Sequence, residues 1–115
     1  MKPPTQCELW DHPERLETPD RFEQIEMLED DSHLIRRLLK CRECGQLYFY
    51  EFYEEIDWKD GNDPQYRTWI PVQTQEEIAA LKDASPFGIL QASPRLQCDF
   101  PRDAKEPGKP RWIRA

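Results

Sequence analysis

The sequence predicts a small α+β fold: a three-stranded antiparallel meander with a Cys-x-x-Cys knuckle at its first hairpin tip, flanked by two short helices and irregular terminal arms. Three observations predict it. Cys41-Arg42-Glu43-Cys44-Gly45 sets two thiols two residues apart and follows them with the residue that supplies positive φ in a tight turn. The run 47–53, Leu-Tyr-Phe-Tyr-Glu-Phe-Tyr, is dense in aromatics that suit a pleated surface. Thr74 followed by Glu77 is a capping box, the signature of a helix start.

Taken in order, residues 1–17 show no sustained period and read as an irregular arm. Thr18-Pro19-Asp20 reads as an N-cap with proline at the first helical position. Phe22, Ile25 and Leu28, three residues apart, then predict a short helix ending near Glu29 or Asp30. Residues 34–40 are apolar around Arg36 and Arg37 and lead into the knuckle. In the aromatic run, alternation puts Tyr48, Tyr50 and Phe52 on one face and Leu47, Phe49 and Tyr53 on the other. A turn over 59–64 returns the chain along a strand at 65–72. The second helix follows from Thr74 and stops before Ser85-Pro86. Residues 87–96 read as a loop with a helical turn. A core of 18–100 and a proline-rich basic tail of 101–115 complete a single domain.

Leu, Ile, Val and Phe together supply 23 of 115 residues, while charged residues make up 34%. So thin a supply of core residues calls for a staple, and a structural metal contributes folding free energy directly. The chain opens without an apolar stretch, and no run reaches the length of a membrane span, which predicts a cytoplasmic location. In a reducing compartment four cysteines are metal ligands before they are disulfides. The expected cofactor is therefore a structural Zn²⁺ held by Cys7, Cys41, Cys44 and Cys98. His12 or His33 in place of a remote cysteine is the first alternative. A metal-free dithiol redox pair at Cys41 and Cys44 is the second.

The knuckle and its strand-like flanks resemble one half of a zinc ribbon, over 34–72. That resemblance implies a metal at or near a hairpin tip. The second close cysteine pair of a ribbon is replaced here by the single residues Cys7 and Cys98.

The formal net charge of −7 is unevenly spread, with ten acids against three bases in 1–31 and five bases against two acids in 101–115. An acidic body disfavours phosphate-backbone binding and attracts a basic protein partner. The expected function is accordingly non-enzymatic: a zinc-stabilised binding protein, in its most specific form an inhibitor or immunity protein of a basic toxin. The expected contacts are Tyr48, Tyr50, Glu51, Glu54, Glu55, Asp57, Trp58 and Asp60, because tyrosine and tryptophan are favoured at binding hot spots. A nucleic-acid-associated ribbon is the competing expectation, with the basic tail on phosphates and Trp112 stacked on a base. No serine or cysteine nucleophile comes with a placed base, and four cysteines would close the coordination position a zinc enzyme needs.

Overall fold

The structure, a computed structural model, describes residues 1–56 and 58–114. Six strands form one antiparallel sheet in chain order: β1 Phe22–Asp31, β2 Leu34–Cys41, β3 Leu47–Glu54, β4 Gln65–Val72, β5 Arg95–Phe100 and β6 Arg111–Ile113. Helices α2 (Gln75–Lys82) and α3 (Pro86–Ile89) connect β4 to β5. A short helix α1 (Glu8–Asp11) and a 3₁₀ turn (Pro13–Glu17) precede the sheet. The three expected strands are present as β2, β3 and β4, and α2 begins where the capping box places it. Thr74 Oγ1 accepts from the Glu77 amide at 3.1 Å, and Glu77 Oε1 accepts from the Thr74 amide at 3.2 Å.

The three-stranded expectation is corrected to six strands. The largest error is the expected first helix, which is strand β1. Its pairing with β2 skips a residue between Gln24 and Glu26 and another between Met27 and Glu29. Each bulge adds a residue without a cross-strand partner. The extra residues are Ile25 and Leu28, so a period of two was stretched into an apparent period of three. The tail is corrected too: 111–113 pairs with β5 as the last strand. There Trp112 Nε1 donates to Leu9 O at 2.7 Å, and the Trp10 and Trp112 rings meet edge to face at 4.8 Å. The guanidinium of Arg114 lies 4.0 Å over the Trp10 ring.

Both faces of the sheet are covered. The amino-terminal segment packs Cys7, Leu9 and Leu16 onto a face made of Leu39, Cys41, Tyr48, Trp69, Leu96 and Cys98. On the opposite face Ile78 and Leu81 of α2 and Ile89 of α3 pack against Leu38, Phe49, Ile70 and Val72. Aromatics on both sides of β3 are thereby used as core, Tyr48 and Phe49 being fully buried.

Helix α2 is tied to the sheet by an arginine. Arg36 Nε donates to Glu51 Oε2 at 2.8 Å, Nη1 to Lys82 O at 3.1 Å and Nη2 to Ala84 O at 2.7 Å. One buried guanidinium so neutralises a buried carboxylate and satisfies carbonyls at the helix C-terminus, where a cation is favoured.

Candidate metal centre

Cys41 ends β2, and its amide donates to Gln46 O at 2.8 Å as the chain turns into β3. The Gly45 amide closes the turn on Cys41 O at 2.8 Å, with Gly45 at φ +81°. That left-handed value is the reason a glycine follows the second cysteine. The turn also aims its backbone: the amides of Glu43 and Cys44 point at the Cys41 sulfur, and that of Gln46 at the Cys44 sulfur. Converging amides of this kind stabilise negative charge on the atom they surround.

Cys7 arrives from the other direction. It is the N-cap of α1, its amide bonded to Pro4 O at 2.8 Å, and the buried Pro4 and Leu9 seat this segment on the sheet. The Sγ atoms of Cys7, Cys41 and Cys44 all lie within 4.8 Å of one another, and Cys7 and Cys41 are 4.0 Å apart. Three sulfurs at about 2.3 Å from one ion stand roughly 3.8 Å apart in a tetrahedral arrangement. The donor set and its spacing therefore fit a metal ion, and these three residues can hold one.

The electrostatics point the same way. Burial pushes the Cys41 thiol up, but the Cys44 and Glu43 amides, the Cys44 thiol and Arg21 together pull it below its ordinary value. Cys44 is pushed up to about 12 by burial and by the neighbouring Cys7 and Cys41 sulfurs, against the Gln46 amide. Without a cation, three sulfurs this close cannot all ionise; a cation among them removes that conflict. Tyr48 donates its hydroxyl to Cys7 Sγ at 3.0 Å, and burial first, then Cys7, keeps its phenol protonated. Arg21, 8% exposed, contacts Cys41 and bonds Glu8 Oε2 at 2.9 Å and Glu43 Oε2 at 3.3 Å. Glu8, which also pairs with Arg15, is held at about 2, chiefly by that arginine.

Cys98 is corrected: it stands outside this group, buried on β5. The register sets Cys41 beside Gln46 but Cys98 beside Arg67 and Phe52, three strands across and about 20 Å along at ordinary strand rise. Its sulfur accepts from Arg67 Nη2 at 3.3 Å and donates to Gly108 O at 3.3 Å. Cys98→Ser is expected to keep the metal-to-protein ratio of the parent, measured by native mass spectrometry on metal-loaded protein; loss of the ion would return Cys98 to the site. The histidines lie elsewhere as well. His12 pairs with Glu14, and His33 with Glu54 at 2.9 Å.

Of the expected partner contacts, Tyr48 and Glu51 are withdrawn into the core, at 0% and 1% exposure. Both faces of β3 are covered, so these two side chains serve the core and not a partner. Tyr50 is half-buried, and Glu54 accepts from Gln65 Nε2 at 3.0 Å as well as meeting His33. Glu55, Trp58 and Asp60 are exposed, Trp58 almost wholly, and Asp57 lies outside the described residues. Trp112 is held by Leu9 and Trp10, so its ring is not displayed for stacking on a base. Arg21 was missed because nothing local distinguishes it from any other surface arginine. Among the described residues no helix is long and apolar enough to cross a membrane. Comparison of the chain with protein-family models, curated proteins and solved structures finds no match.

Proposed function

We propose that this chain is a non-enzymatic binding protein, stapled by Zn²⁺ at Cys7, Cys41 and Cys44, whose acidic edge engages a basic protein partner. An inhibitor or immunity protein that neutralises a basic toxin is the specific form of this reading. The observation that carries it is β1. This edge strand is exposed along nearly its whole length and bears Glu23, Glu26, Glu29, Asp30 and Asp31 with no lysine or arginine. Among the described residues none of those five carboxylates joins an ion pair. Exposed Ile25 and Met27 lie between them and supply apolar contact.

Charges and bulges keep such an edge from pairing with another sheet, so docking runs through side chains rather than by strand addition. The acids extend around the β1–β2 turn to Glu55 at the same end of the sheet, opposite the knuckle, with the exposed Trp58 nearby in the chain. The burial of Cys7 and Cys41 supports the non-enzymatic reading, since two of the three sulfurs are out of reach of a substrate. A thiol exchanger needs its thiolate within reach of the substrate.

The test reverses the edge. A Glu23→Lys, Glu26→Lys, Glu29→Lys variant is expected to bind the purified partner at least about tenfold more weakly, by interferometry at low salt. Parent affinity should fall as salt rises. Undiminished binding by the variant at unchanged metal content would overturn the docking surface.

A further inference from the structure

On the sheet face below the 3₁₀ turn lies a cleft of about 390 Å³, within the size range of small-molecule sites. Its floor is a cross-strand row. Arg37 of β2 stands opposite Tyr50 of β3, and Tyr50 opposite Trp69 of β4, the last two rings 5.0 Å apart. Phe22, Arg21 and Asp20 line one side. The protein is acidic, yet this cleft holds two arginines.

Those arginines are short of partners. The Nε atoms of Arg21 and Arg37 are both buried without a hydrogen bond. Arg21 spends its terminal nitrogens on Glu8, Glu43 and Thr18. The Arg37 side chain makes no hydrogen bond or ion pair among the described residues. Arg37 is half-buried and its Nε is shut off from water, a cost that an anion bound at the guanidinium offsets. The planar fork of arginine matches a carboxylate in two parallel hydrogen bonds. The aromatic floor beside it suits a flat apolar body. Asp20, on the same wall and in no ion pair among the described residues, disfavours a second negative charge on the ligand.

We propose that this cleft binds a small organic monoanion, a carboxylate carried on a planar ring, with Arg37 receiving the carboxylate and the ring lying against Tyr50 and Trp69. The cleft borders the metal centre through Arg21 and the acidic edge through Phe22 and Gln24, but the proposal does not depend on either reading.

The probes are benzoate, phenyl phosphate and neutral benzamide, titrated into the full chain and followed by side-chain N–H resonances of arginine and tryptophan. Benzoate is expected to saturate while moving the Arg37 and Trp69 signals, at least about tenfold tighter than benzamide. Phenyl phosphate should bind more weakly than benzoate. Arg37→Gln is expected to abolish benzoate saturation, and Arg37→Lys to retain part of it, with metal content and melting temperature confirming that each variant folds. The parent titration stands by itself if a variant does not fold. Equal affinity for benzamide, tighter binding of phenyl phosphate, unaltered benzoate binding in Arg37→Gln, or no saturation in the parent would each overturn the proposal.

Discussion

Cys7→Ser is expected to release the metal and lower the melting temperature by about 15 °C relative to metal-loaded parent. That estimate takes an ion present at about a thousandfold over its dissociation constant, worth roughly 4 kcal/mol to the native state. The physical route is specific. Cys7 is the sulfur that joins the amino-terminal segment to the β2–β3 turn, and the same segment supplies Leu9 and Leu16 to one face of the core. With the sulfur gone, trypsin should cut at Arg15 and Arg21 at concentrations that leave the loaded parent intact. A chelator added to parent should reproduce both effects. If Cys7→Ser keeps its ion and its melting temperature, Cys7 is a small buried hydrophobe and nothing more.

Arg36→Ala is the second large effect, expected to cost about 3–5 kcal/mol by urea denaturation. The loss comes less from the ion pair than from what remains: Glu51, 1% exposed, is left with no cation. The carbonyls of Lys82 and Ala84 lose their donor at the same time. Glu51→Gln in the same background removes the stranded charge and should recover part of the loss. Burial already holds the Glu51 carboxyl above its usual range, against the pull of Arg36. A carboxyl raised in the native state favours folding most below its unfolded pKa, and this advantage disappears as pH rises through the native value. The deficit of Arg36→Ala relative to parent should therefore be greatest near neutrality and shrink as the pH falls. A loss below about 1 kcal/mol would mean that the pair behaves as an exposed one.

Much of the molecule was legible in short stretches of chain. The knuckle declares itself through two thiols and a glycine, and the structure gives that glycine the left-handed φ the turn requires. The helix after Thr74 was legible for the same reason, since a capping box closes within four residues. The aromatic run was read correctly as a strand, but Tyr48 and Glu51 were assigned to a partner, because the residues that bury them lie far away along the chain. Reading β1 as a helix had a definite cause: two bulges disguised its alternation, and only the pairing with β2 exposes them.

By itself the sequence determined the Cys41–Cys44 turn, three of the six strands, one capped helix and an acidic amino-terminal third, all set by contacts between near neighbours or by charge count. Only the tertiary structure decided that Cys7 and not Cys98 joins the pair, that the tail becomes a sixth strand, and that Arg36 is neutralised while Arg37 is not. Such outcomes depend on strand register and on which face each residue takes. Moving a register by one position turns every side chain over, and no short stretch of sequence specifies that position.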